Sequence, residues 1–200
     1  MKRKNSRSLK QAGMRLSALL ALPALLLLGG CSQTPSHLIV APQVMTANSG
    51  KYANKQAHIR VLDMRTGNHI VQISRPEKAA QLFSSQAPLK EILTQSLSSQ
   101  WSKQGMAMTP VAANNIEVSI DQALVKVEQQ LMQYQVKSEI VLTVKIDNGV
   151  ATLTNTFRNR GSSHGPLKAD LAVLERDFNQ QLALLLAQII DNHEIQQFIR

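Results

Sequence analysis

Residues 134–157 constrain this chain most strongly. Tyr134, Val136, Ile140, Leu142, Val144 and Ile146 alternate with Gln135, Lys137, Glu139, Thr143 and Lys145. A period of two puts one set on each side of a β-strand, giving an apolar face and a wet one. Asn148-Gly149 follows, a pair that favours a two-residue type I′ turn because both positions accept positive φ. With Asp147 and Val150 flanking that turn, Ile146 faces Ala151, Val144 faces Leu153 and Ile140 faces Phe157. Leu142 opposite Asn155 is the one mismatch. A one-residue slip would turn every apolar side chain outward, so the register is well specified.

The neighbouring segments extend this pattern. Ile116, Val118 and Ile120 alternate on even numbers, but Ala123, Val125 and Val127 on odd ones. A strand changes parity only where a residue is inserted, which predicts a β-bulge near Asp121–Leu124 or two shorter strands with a break. Residues 57–74 read as two strands around Thr66-Gly67-Asn68. A helix is expected between Pro88 and Gly105, with Leu89, Ile92, Leu93, Leu97 and Trp101 on one face. A second runs from Leu167 to Ile190, with a stripe of Leu167, Leu171, Leu174, Phe178, Leu182, Leu185 and Ile189. Asp191-Asn192 can recap the chain for a final turn, "HEIQQFI". The order ββαβββα implies an α+β fold, an antiparallel β-sheet with two main helices packed on one face. Residues 57–200 then form a single domain.

The N-terminus carries different information. Lys2, Arg3, Lys4, Arg7, Lys10 and Arg15 precede an apolar run from Leu16 to Leu28. That run is shorter than the ~20 residues a membrane-spanning helix needs. A basic start, a short apolar centre and small residues at the end describe a secretory signal peptide over residues 1–30. Leu28-Gly29-Gly30-Cys31 resembles the bacterial lipobox, which implies cleavage between Gly30 and Cys31. The resemblance further implies diacylglycerol on the Cys31 sulfur and an acyl chain on the new amine, so that acyl chains hold the protein to a membrane. Ser32 stands where the sorting rule for such lipoproteins places Asp for inner-membrane retention, which implies the outer membrane, on its periplasmic side. Cys31 is the sole cysteine, so no disulfide or thiolate metal site remains. Residues 31–56, rich in Ser, Thr, Asn and Gln, are expected to be a flexible tether in which only Leu38-Ile39-Val40 can pair as an extended piece.

The whole chain has 22 Lys and Arg against 13 Asp and Glu, but six of the basic residues leave with the signal segment. No single-sign stripe of the kind nucleic acid requires remains. Asp63-Met64-Arg65, the helix ending in "WSKQGMAM", the three-strand meander and the closing "HEIQQFI" together resemble the YajG family of bacterial lipoproteins, an uncharacterised group. The resemblance implies an envelope lipoprotein of α+β fold and brings no reaction with it.

Searching for chemistry yields little. His37, His58, His69, His164 and His193 lack the spacing of converging metal ligands, so no metal or other cofactor is expected. Glu117 and Asp121 fall on the outward parity of a strand, and Glu175 and Asp177 on a helix surface, where carboxylates form a solvated face. Ser162-Ser163-His164, flanked by Gly161 and Gly165, reads as a mobile loop rather than a triad. No catalytic residue is assigned. Asp63 and Arg65, two apart on a strand, share a side and are expected to pair with each other or, less readily, to hold a ligand. Leu184, Leu186 and Ile190 exceed the stripe the second helix needs. They are covered either by the first helix and the folded-back tail or by a partner. The chain therefore reads as a non-enzymatic envelope module that binds another protein through a sheet edge or the last helix. The other reading is a lipid-handling accessory with an apolar cleft between helices and sheet.

Overall fold

The computed structural model describes residues 37–47 and 50–199, so the signal segment, Cys31 and Ser32 lie outside the described residues. Strands β1 (His37–Leu38), β2 (Gln56–Asp63), β3 (His69–Arg75) and β4 (Lys78–Ser85) lead to helix α1 (Leu89–Lys103). Then come β5 (Ala107–Met108), β6 (Asn114–Gln129), β7 (Gln133–Asp147), β8 (Thr152–Pro166), α2 (Leu171–Ile190) and α3 (His193–Phe198).

The long antiparallel meander β6–β7–β8 runs from the middle of the sheet, at β6, to its edge, at β8. Ile120 faces Leu142 and Gln122 faces Val141, which makes Asp121 the inserted residue of the expected bulge. Because of that insertion, Ile116, Val118 and Ile120 before it and Ala123, Val125 and Val127 after it are all buried on one face.

The β7–β8 register differs from expectation by two residues. Asp147 pairs with Thr152, Ile146 with Leu153, Val144 with Asn155 and Leu142 with Phe157. A type I′ turn needs positive φ at both central residues, yet only Gly149 takes it here, at 79°. The Asn148 side chain instead accepts from the Val150 and Ala151 N–H groups at 3.1 and 3.0 Å. It also donates to the Phe198 carbonyl at 3.2 Å. This tertiary bond and the side-chain turn override the dipeptide preference. The shift is even, so the apolar face survives.

The sheet is mixed rather than antiparallel. β2 and β3 do not form a hairpin with each other. Both pair parallel to β6 along the same edge, β2 from Asn114 to Ile120 and β3 from Val125 to Glu128. Residues 64–68 make an excursion between them, level with the bulge, and the Met64 N–H donates to the Ile120 carbonyl at 3.0 Å. β3 turns through Pro76 and Glu77 into β4, an antiparallel strand absent from the expected order. β1 and β5 are short parallel additions to β4 and β2.

Both main helices pack on the same face of the sheet and against each other. α1 buries Leu89, Leu93, Leu97 and Trp101, a single stripe. Gly105, at φ 95°, ends it in a conformation that a side chain would strain against Ala53. α2 begins four residues later than expected. Asp170 caps it by accepting from the Ala172 N–H at 2.9 Å, while Leu167 lies outside the helix with φ 63°. Asn192 caps α3 by accepting from the Ile195 N–H at 2.9 Å.

From His37 onward the supposed tether is part of the fold. Leu38 and Val40 are buried. The Ile39 N–H donates to Glu175 Oε2 at 2.7 Å, and the Ala41 N–H to Asn179 Oδ1 at 2.9 Å, both on α2. Further along, Gln100 Nε2 of α1 donates to the Val44 carbonyl at 3.2 Å. Residues 37–47 thus form a strap across the two helices. Its polar sequence hides this, because the helices supply the hydrogen bonds that a strand partner would otherwise give.

Candidate functional site

β2 ends, and the excursion to β3 begins, at Asp63. Arg65 turns back on it: Nε donates to Asp63 Oδ1 at 2.9 Å and Nη2 to Oδ2 at 2.8 Å, a two-pronged pair. The remaining prong, Nη1, reaches the His69 and Ala123 carbonyls, both at 3.4 Å. The Arg65 side chain is only 7% exposed. One guanidinium therefore joins the end of β2, the start of β3 and β6 just past its bulge. The hydrogen bonds from Arg65 hold the Asp63 carboxyl below the ordinary carboxylate range; burial opposes this and Lys90 reinforces it. A carboxylate so held is ionised near neutral pH and is poorly matched to proton transfer. Its stabilising contribution is present above the ordinary carboxylate pKa and is lost as pH falls through the lowered one.

The pair lines a groove of about 740 Å³ that also touches Met64, Ser84, Gln86 and Lys90 at the start of α1. The expected alternatives for Asp63 and Arg65 were mutual pairing or ligand binding, and the geometry is that of mutual pairing. Their role is to pin the point where the sheet forks.

The other candidates are dispersed. Glu117 pairs with Arg60, and Asp121 accepts from the Thr143 hydroxyl at 2.6 Å. Glu175 holds the strap, and Asp177 pairs with Arg176. Ser162, Ser163 and His164 belong to β8, not to a mobile loop, because ladder pairing continues through Pro166. Among the described residues, no group of three or more His, Cys, Asp or Glu converges as a metal site.

The surplus apolar residues of α2 separate. Leu186 and Ile190 are fully buried, so they are core and present nothing to a partner. The Tyr52 hydroxyl of the 50–55 segment donates to the Ile190 carbonyl, and Ile195 and Ile199 of the tail belong to the same buried cluster. Leu184 is 53% exposed. The cleft between α2 and the β7–β8 edge measures about 280 Å³. It is bridged by Ser138 Oγ and Gln181 Oε1 at 2.8 Å, which puts polar groups across it. Such a cleft lies at the bottom of the usual range of ligand cavities, ~300–1,000 Å³.

Sequence reasoning passed over two features. One is which strand supplies the sheet edge: β8, 15 residues long, is paired among the described residues with β7 alone. The other is the β6–β7 turn, where Leu131 and Met132 are 94% and 68% exposed beside Leu167 at 61%. Apolar residues in a turn were a legible signal, since turns are ordinarily polar.

The described residues thus form a mixed sheet with two helices on one face, a buried pin at its fork and a strap along its helices. The chain belongs to a family described as uncharacterised lipoproteins, which matches residues 42–200. That membership fits a membrane-anchored place in the cell envelope, and among the described residues no helix is long and apolar enough to cross a membrane. The uncharacterised lipoprotein YajG of Escherichia coli K12 is 23% identical over 185 residues, covering 91% of this chain and 95% of its own. The crystal structure of protein XCC0632 from Xanthomonas campestris aligns with a TM-score of 0.55 at 14% identity, covering 83% of this chain and 97% of that one. The second likeness is one of fold.

Proposed function

We propose that the protein is an outer-membrane lipoprotein, held by acyl chains on Cys31 and facing the periplasm. There it acts as a non-enzymatic module that binds an extended segment of another envelope protein. The observation that carries this reading is the open edge of β8. Among the described residues, Thr152–Pro166 leaves one side of its backbone without a strand partner over 15 residues. Such an edge is a template for strand addition, in which main-chain hydrogen bonds give affinity. Self-pairing about Asn159 would set Arg158 against Arg160 of a second copy, and like charges directly opposed are destabilising. That register of self-pairing is disfavoured, and the proposed occupant is a different protein. The small, polar-bridged cleft beside α2 favours this over the lipid-handling alternative.

The test is a photo-crosslinking side chain placed at Thr154 on the β8 edge in intact cells, with Lys90 as a control site far from that edge. A discrete crosslinked product at Thr154 alone supports the reading. Equal labelling at both sites, or none at Thr154, overturns it. Cys31→Ala in the same strain is expected to leave an uncleaved or soluble precursor, and unchanged membrane retention would remove the anchor.

A further inference from the structure

The fold holds three large apolar side chains out at one end. Leu131 and Met132 form the tip of the β6–β7 turn, and the Leu167 N–H donates to the Met132 carbonyl at 2.9 Å. Leu167 keeps this place with a positive φ of 63°, a conformation that side chains other than those of Asn and Asp rarely take. The buried Gln129 side chain enforces it. Its Nε2 donates to the Leu167 carbonyl at 2.6 Å, and its Oε1 accepts from the Ala169 N–H at 3.0 Å.

The chain enters the fold from the same end. β1 runs parallel to β4, whose first residues lie beside the end of β3 and hence beside Glu128. The strap meets Glu175 before Asn179, so it runs in the direction of α2, which starts just after Leu167. Only residues 32–36 separate Cys31 from His37, and that length spans at most about 20 Å. The start of the strap lies level with Ala123, by way of Ser84 and His69, and from there to the turn at Gln130 is about 24 Å of strand, a similar length.

We propose that the Leu131, Met132 and Leu167 tip enters the lipid headgroup region, so that the protein stands end-on upon the membrane that holds its acyl chains. The proposal rests on acylation of Cys31. Lipid is the occupant because the chain length limits this end to the vicinity of the bilayer. Three side chains also fall far short of the ~1,200 Å² that a stable protein interface buries. The charged neighbours nearly balance, with Arg75, Lys78 and Lys168 against Glu77 and Glu128, so contact is apolar rather than driven by anionic lipid.

The experiment uses the full-length acylated protein in vesicles of phosphatidylethanolamine and phosphatidylglycerol. Acylation blocks Cys31, so single variants Leu131→Cys, Met132→Cys, Val111→Cys and Val150→Cys can each carry one polarity-sensitive fluorophore. Val111 and Val150 are equally exposed but lie beyond the opposite end of β7. The expected result is a blue shift and quenching by lipid-borne nitroxide at 131 and 132, severalfold stronger than at 111 and 150. Little change is expected when phosphatidylglycerol is left out. Protein that floats with vesicles but shows equal quenching at all four sites overturns the tip and leaves the anchor standing. Protein that fails to float overturns both.

Discussion

Asp147 and Gln133 lie at opposite ends of β7, and the apolar residues beyond them are treated in opposite ways. Beyond Asp147, Asn148 is tied to the Phe198 carbonyl, and Ile190, Ile195 and Ile199 are buried, as is Tyr52. The Tyr52 hydroxyl donates to the Ile190 carbonyl at 2.9 Å, and Lys55 Nζ closes the end of α3 by donating to the Gln196 and Ile199 carbonyls. Beyond Gln133, Leu131, Met132 and Leu167 meet solvent while Gln129 holds their loop in place. Similar apolar content thus yields core at one end and a projecting tip at the other. The difference is a returning chain: residues 50–55 and α3 fold back over the first end, and nothing among the described residues folds back over the second.

The largest effect that bears on this contrast is expected at Leu186. It is fully buried at the closed end, whereas Leu184, two residues earlier, is half exposed. Leu186→Ser should lower unfolding free energy by about 2–4 kcal/mol in urea titration, since it leaves a cavity and buries a hydroxyl. Leu184→Ser should stay within about 0.5 kcal/mol of the parent. Equal losses for the two variants would mean that α2 does not divide its apolar residues in this way.

That division shows what the sequence could and could not disclose. The stripe of α2, the meander and the bulge at Asp121 were legible because each is a periodicity imposed by one buried face. The surplus at Leu186 and Ile190 and the folded-back tail as its cover were visible, but not the 50–55 segment, whose Tyr52 joins the same buried cluster. β2 and β3 were legible as strands and misread as a hairpin, because a strand, a turn and a strand look alike whether they pair together or with distant β6. β4, "KAAQLFSS", is exposed over most of its length and carries no alternation to find. At the site, the Asp63–Arg65 pairing was expected from two residues sharing one side of a strand, whereas the strand ends at Asp63 and Arg65 turns back to make the pair. The reach of Arg65 to Ala123 did not, because it depends on a parallel register that no local signal encodes.

A smaller effect, with a pH signature, is expected at Tyr52. Tyr52→Phe removes the hydrogen bond to the Ile190 carbonyl and should cost about 1 kcal/mol near neutral pH. Burial pushes the Tyr52 hydroxyl up from 10.0 to about 12, with the neighbouring Trp101 opposing and Asp191 adding to the rise. A raised folded-state value stabilises fully below the unfolded value and is lost as pH rises through the folded one. The gap between parent and variant should therefore hold up to about pH 10 and narrow toward pH 12. Denaturation series across that window measure it, and a constant gap would show that Tyr52 is not sealed at this end.

The smallest effect tests the open end, and its sign matters more than its size. Leu167 sits in a left-handed conformation that costs an ordinary residue roughly 1–2 kcal/mol and that Asn visits routinely. Gly would also relieve the strain, but it enlarges the unfolded ensemble and blurs the reading. Leu167→Asn avoids that, and it keeps the N–H that bonds Met132 and the carbonyl that accepts from Gln129. If the fold alone chose this residue, Leu should be better than Asn, because part of its side chain is covered. If Leu167 is held out for a surface beyond the fold, Asn should be neutral or better, raising unfolding free energy by up to about 1 kcal/mol. Calorimetry of the parent and variant separates the two, and a clear loss of stability in the variant would return Leu167 to the core.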